Sequence, residues 1–280
     1  MRSLVSALLG LLALAAAAGG LASAWLDENL VEESGFVALA APLGKDAQFQ
    51  AALADSLAQE ITANTGLPDR LDSIVEPLIR DAAGKVTGSS LYPAALTETL
   101  RLSHAVTFAQ APDPSAPAPA ALTLDLGPIV GLVADSVSSA LGLEVPVPED
   151  TTIEVASIER GGILSGMADA VREWRLYLAA AGVLAVLAIV LARRRGTALA
   201  LLGLGVALIG VAGFLAADWV PAVAAGVPGS GAVADVFIRG LASRAGASIA
   251  EASSPVIIGG LIAVVIGIVG QAAVGRRRRA

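Results

Sequence analysis

The chain has 280 residues, 55% of them hydrophobic, only 15% charged and 4% aromatic, with a formal net charge of −7. So apolar a composition lies far outside the norm of soluble domains and assigns much of the chain to lipid. There is no cysteine, which excludes disulfides, thiol catalysis, a lipobox, S-palmitoylation and zinc sites built on thiolates.

Residues 1–24 hold the first apolar run, Leu4 to Ala24, long enough to cross a hydrocarbon core of about 30 Å. The Ala22-Ser23-Ala24 triplet also fits a signal cleavage site. The run reaches full spanning length and ends on Trp25-Leu26, so it is read as a retained span, with a cleaved signal as the alternative.

Residues 25–175 form the acidic block, with 22 Asp and Glu against 8 Lys and Arg, a formal charge of −14. The spacing predicts mostly helix there. Asp46 is the expected N-cap of a helix to about Asn64, with Phe49, Leu53, Leu57 and Ile61 on one face and Gly66 and Pro68 ending it. A second helix carries Leu71, Ile74, Val75, Leu78 and Ile79, and Pro77 is expected to kink or divide it. Ser90 and Pro93 open a third, to about Gln110.

The proline-rich stretch 111–120 reads as a stiff exposed loop. After it, Leu122, Leu124 and Leu126 alternate with Thr123 and Asp125 as a strand, and Gly127-Pro128 opens a helix to about Leu141. A turn at Gly142 and a second strand over 152–158, with Ile153 and Val155 inward, complete a strand-helix-strand order, for which a parallel pair with a right-handed crossover is the expectation. Gly161-Gly162 then breaks the chain.

The second span is 176–192, the cytoplasmic turn 193–196, the third span 197–217, the outer loop 218–255, the fourth span 256–275 and the tail 276–280. So short a turn makes spans two and three antiparallel neighbours. Ala200, Gly203, Ala207 and Gly210 on span three, and Gly260, Ala263 and Gly267 on span four, form small-residue faces suited to close packing within the chain or to a homo-oligomer. In the outer loop, Val233, Val236, Phe237, Leu241 and Ile249 mark one face of a short amphipathic helix, expected along the membrane surface or as a cap on the large domain. Trp25, Trp174, Tyr177 and Trp219 fall at the outer span ends, where amphipathic rings prefer the headgroup level.

Arginine placement orients the chain. Arg2, Arg193 to Arg195 and Arg276 to Arg279 flank the spans with no acid among them, which assigns them and both termini to the cytoplasm and residues 25–175 to the outside. The resulting fold class is a mainly α membrane protein: four transmembrane helices plus an extracytoplasmic α+β domain, helix-rich with a small two-stranded element.

Chemistry is sparsely signalled. His104 is the one histidine, and its neighbour Ser103 diverges from it on a helix, so the two are no nucleophile and base pair. Asp27, Glu28, Glu32 and Glu33 cluster outside span one without calcium-loop spacing. Gly229-Ser230-Gly231 lacks the context and partners of a nucleophile elbow. No phosphate-binding glycine motif follows a strand, and no span carries an ionisable residue or proline in its middle, which disfavours ion coupling. The expectation is therefore no catalytic, cofactor-binding or metal site. An acidic exterior excludes nucleic acid as a ligand of the domain, because that needs basic patches.

Phe36-Val37-Ala38-Leu39-Ala40-Ala41-Pro42-Leu43 before a polar helix, Leu102-Ser103-His104 on a later one, the element Leu122 to Val130 centred on Leu124-Asp125-Leu126-Gly127-Pro128, and a close pair of spans split by arginines together resemble a group of uncharacterised actinobacterial four-span integral membrane proteins with an extracytoplasmic helical domain. The chain departs from that pattern at Leu91-Tyr92-Pro93 and in its proline-rich loop. The resemblance implies fold and location and supplies no activity. The expected function is a non-enzymatic cell-envelope protein that presents an interaction domain to an envelope partner. Alternatives are an extracytoplasmic hydrolase or lipid-modifying enzyme, and an oligomeric channel or transporter accessory subunit.

Overall fold

The computed structural model describes residues 2–64, 69–108, 121–141, 151–157, 170–227, 229 and 231–277. The expected breaks at Gly66, Pro68, 111–120, Gly142 and Gly161-Gly162 lie outside these residues, as do the side chains of Leu57, Ile61, Leu71, Ile74, Val75, Leu78, Leu122 and Ile153. Two compact units emerge. One comprises 1–28, 167–220 and 245–280, the other 29–166 and 221–244.

The first unit holds α1 (Arg2–Leu26), α7 (Trp174–Leu191), α8 (Arg195–Ala217) and the later part of α10 (Ala232–Arg277). With α1 continued by a π-helical turn, Asp27–Val31, these are four helices long and apolar enough to cross a membrane. Their packing follows small residues at seven-residue steps. On α8 these are Gly196, Gly203, Gly210 and Ala217; on α10 they are Gly246, Ser253, Gly260 and Gly267.

The two sets run antiparallel in matched register. A Cβ on Gly196 would lie 2.6 Å from the Gly267 carbonyl oxygen, one on Gly203 2.7 Å from that of Gly260, and one on Gly210 3.1 Å from that of Ser253. Only residues without bulk allow backbones that close, and a seven-residue repeat keeps the seam in line over successive turns. The small-residue faces noted in the sequence are thus engaged with each other inside the chain.

Helices α1 and α7 use the same device. Ser6, Ala13 and Gly20 are buried at seven-residue steps against Ala181 and Ala188. The Ser6 hydroxyl donates to the Ala188 carbonyl at 2.7 Å, and a Cβ on Gly20 would lie 2.7 Å from Leu178 Cδ2. At the aromatic ends, Trp174 Nε1 donates to Asp27 Oδ2 at 3.0 Å and Trp25 Nε1 to Ser248 Oγ at 3.1 Å.

The second unit contains α2 (Glu33–Ala40), a 3-10 turn (Ala41–Lys45), α3 (Ala47–Asn64), α4 (Asp69–Thr87), α5 (Tyr92–Phe108), β1 (Ala121–Asp125), α6 (Gly127–Leu141) and β2 (Thr152–Ser157). Asp46 caps α3 as expected, its Oδ1 accepting the amides of Gln48 at 2.8 Å and Phe49 at 3.0 Å. Pro77 lies inside α4 without dividing it. The two strands pair antiparallel, Asp125 opposite Thr152 and Leu122 opposite Ala156, which corrects the expected parallel crossover. The start of β2 at Thr152 lies opposite the end of β1 at Asp125, so the second strand enters the sheet at the end where the first leaves it. A bulge between Leu122 and Thr123 leaves Val155 as the extra residue, fully buried.

The core of this unit includes Phe36, Phe49, Leu53, Leu100, Leu124, Ile129, Val133 and Val155. It is completed from far along the chain. Val233, Ala234 and Phe237, at the start of α10, are 0–2% exposed within it. Phe237 stacks obliquely on Phe49, ring centroids 6.2 Å apart, and Gly240 meets Leu43 so closely that a Cβ would lie 2.6 Å from its Cδ2. The start of α10 therefore caps the domain, and the helix is not short. It continues through Pro255, the adjacent Ser253 and Ser254 hydroxyls donating to the Ile249 and Ala250 carbonyls at 2.7 and 3.3 Å. A preceding short helix, α9 (Trp219–Ala224), follows span three.

Tyr92 sits at the start of α5, 2% exposed, and its hydroxyl has no hydrogen-bond partner among the described residues. Burial pushes its ionisation up to about 12 from the ordinary 10. Between those two values the unfolded chain loses the proton and the folded one keeps it, so stability present below pH 10 falls as the pH rises toward 12. Tyr92→Phe keeps the ring and should remove roughly 1–2 kcal/mol of that alkaline loss, read as the difference between urea midpoints at pH 9 and pH 11.5.

Candidate functional site

The reactive side chains of the second unit gather on α5 and what packs against it. Helical spacing places Thr99, Ser103 and Thr107 on one buried stripe, with His104 beside them, 8% exposed. The Ser103 hydroxyl donates to the Thr99 carbonyl at 2.6 Å and accepts the Asp125 amide at 2.9 Å. It thereby fastens the end of β1 to α5. His104 turns elsewhere, its Nε2 3.2 Å from the Leu30 carbonyl and its ring 5.5 Å from that of Phe36. A carbonyl only accepts, so Nε2 carries the proton in that bond. Serine and histidine thus serve separate contacts, as their adjacent positions imply.

Beside His104, Arg101 bridges two helices. Its Nε donates to Glu33 Oε1 at 2.8 Å and a terminal nitrogen to Glu98 Oε2 at 3.0 Å. The hydrogen bond from Arg101 holds the Glu33 carboxyl below the usual range, and Glu33 in turn raises the guanidinium. All three side chains are about half exposed, where water screens such pairs and their contribution is small. The acidic cluster of the sequence is divided. Asp27 takes the Trp174 indole, Glu33 takes Arg101, and Glu28 and Glu32 are exposed. Among the described residues no three His, Asp or Glu side chains converge as a metal site would need.

The junction Asp125 to Pro128 is built as its residue types suggest. Asp125 Oδ1 accepts the Gly127 amide at 2.9 Å and the Thr151 hydroxyl at 3.1 Å, placing a carboxylate at the start of α6. Leu126 accepts from Ile129 and Val130 through its carbonyl. A Cβ on Gly127 would lie 3.1 Å from both Asp125 Oδ1 and Thr151 Oγ1, so a side chain there would displace those two groups by a few tenths of an ångström; its φ lies outside the left-handed region. Gly229 donates its amide to Asp235 Oδ1 at 2.9 Å, which makes it part of the entry to α10; Ser230 lies outside the described residues.

Two features escaped sequence reasoning. The hydroxyls of Thr99, Thr107 and Thr123 are buried with no hydrogen-bond partner among the described residues, a polar seam where α5 meets β1; the four-residue recurrence of Thr99, Ser103 and Thr107 was its available signal. The other is the outward face of α5, where Leu102 and Val106 are 37% and 45% exposed one turn apart, near the Arg101 bridge. This apolar strip is bordered by the Glu33–Arg101–Glu98 ion pairs. Compared with known proteins, the chain matches no protein-family model, no curated protein and no solved structure.

Proposed function

We propose that the chain is a non-enzymatic four-span protein of the cell membrane that presents an acidic interaction domain on the extracytoplasmic side. The single observation that carries this reading is the shared core of 29–166 and 221–244. The first follows the first apolar helix and precedes the second, and the other follows the third and includes the opening turns of the fourth, ahead of its apolar stretch after Pro255. Segments that share a core lie on one side of a membrane, which an even number of crossings between them allows, and the arginines at the opposite helix ends support the outside as that side. The resemblance of Leu124 to Pro128 to the actinobacterial group accords with this placement.

The non-enzymatic part rests on the use of the reactive groups. Ser103, Asp125 and His104 are bonded to backbone groups that organise the fold. Among the described residues we take the Leu102–Val106 strip as the docking face; the Glu33–Arg101–Glu98 cluster at its border carries two carboxylates to one guanidinium, a net negative charge suited to an envelope protein with basic groups around an apolar contact.

A photo-crosslinking residue at Leu102 should give a discrete adduct in native membranes, absent when it is placed at Lys85 and lost when Glu98→Lys is added. His104→Gln should keep fold and adduct, costing about 1–3 kcal/mol for the lost bond. An adduct indifferent to position and charge would contradict the docking face. A folded, abundant His104→Gln protein without cellular function would contradict the non-enzymatic reading.

A further inference from the structure

Within the first unit, a cavity of about 560 Å³ opens between α1, α7 and α8 at their arginine-bearing end. Its mouth is lined by Arg193, Arg194 and Ser3, and its interior by apolar side chains such as Leu11, Leu14 and Leu201. Among the described residues no carboxylate lines it. Its volume lies within the roughly 300–1,000 Å³ usual for small-ligand sites. The inner end closes where Leu14 packs onto Gly205, whose missing side chain leaves room for the leucine.

Dimensions and charge narrow the occupant. From Ser3 to Leu14 along α1 is about 16 Å at the helical rise, close to half of a hydrocarbon core roughly 30 Å thick. A second transmembrane helix would need the full thickness, whereas one acyl chain rooted at the headgroup level fills a single leaflet. Two exposed guanidiniums at the mouth, with Arg2 and Arg195 at the adjoining helix starts, match a phosphate.

We propose that this groove holds an anionic glycerophospholipid, one acyl chain between α1 and α8 and the phosphate on Arg193 and Arg194. Full-length protein in nanodiscs of phosphatidylcholine and phosphatidylglycerol, released into native mass spectrometry, tests it. Wild type should retain one phosphatidylglycerol, enriched of order tenfold over its share of the bilayer, as two arginines at an anionic headgroup imply. Arg193→Gln with Arg194→Gln should bring retention down to the bilayer composition. Ala198→Phe, which fills the groove and leaves both arginines, should do the same, and unchanged helical circular dichroism verifies folding in each. Equal retention of the two lipids by wild type would overturn the proposal. So would loss in only one variant, since that means headgroup attraction without the groove or chain binding without charge selection.

Discussion

Phe237→Ala should destabilise the second unit by about 3–5 kcal/mol, the usual cost of emptying a buried phenylalanine site. The residue is 2% exposed, its ring meets Phe49, and its neighbours Val233 and Ala234 are equally buried. A domain of this size has about 5–15 kcal/mol in hand, so this one truncation removes a large share. The effect should appear at a distance in sequence. Amide hydrogen exchange in α3 around Phe49 and Leu53 should accelerate in full-length protein in nanodiscs, although the substitution lies about 190 residues later. An amphipathic helix lying on the membrane surface would leave α3 untouched. Unchanged exchange there would remove the outer-loop helix from the domain core.

Gly260→Val should be the most damaging change in the apolar helices. A Cβ there would collide with the Ala207 amide nitrogen and lie 2.7 Å from the Gly203 carbonyl oxygen and 2.8 Å from the Ala207 Cα. These are backbone atoms, which have no rotamer to escape into, so α8 and α10 must separate along the whole seven-residue seam. The cost should reach or exceed the roughly 1–3 kcal/mol typical of overpacking. Gly259→Val is the internal control, since nothing lies within 4 Å of its added carbon and the helix-propensity change is the same. A melting temperature in nanodiscs depressed by Gly260→Val and nearly unmoved by Gly259→Val is the expected result; equal depression would mean that propensity, not close packing, governs the site.

The four apolar helices were legible in sequence because length and the absence of charge suffice to identify them. Small residues at three- and four-residue steps were legible too, but not which helix they met; that depends on the match of Gly196, Gly203 and Gly210 to Gly267, Gly260 and Ser253, a property of two segments together. The apolar face of Phe237 showed that something buries it. Periodicity names a buried face and is silent on what covers it, so cap and surface helix stayed equivalent until Phe49 was found beneath. The parallel expectation for β1 and β2 followed from their order around α6, and order does not record at which end the second strand enters the sheet. Pro77 and Pro255 mark breaks by local rule, and both helices run on through them. For the candidate site, the divergence of Ser103 from His104 was readable, whereas the Asp125 amide bound by Ser103 and the Leu30 carbonyl bound by His104 are tertiary partners that no spacing announces.

The absence of cysteine makes each introduced thiol the only one in the chain, and an impermeant maleimide applied to intact cells then reads sidedness directly. Leu91→Cys in the main part of the second unit and Arg239→Cys in its outer-loop segment, both at exposed positions, should label from outside, and Arg194→Cys only after permeabilisation. Leu91 and Arg239 on opposite sides, or Arg194 labelled in intact cells, would contradict a single extracytoplasmic domain built from both segments.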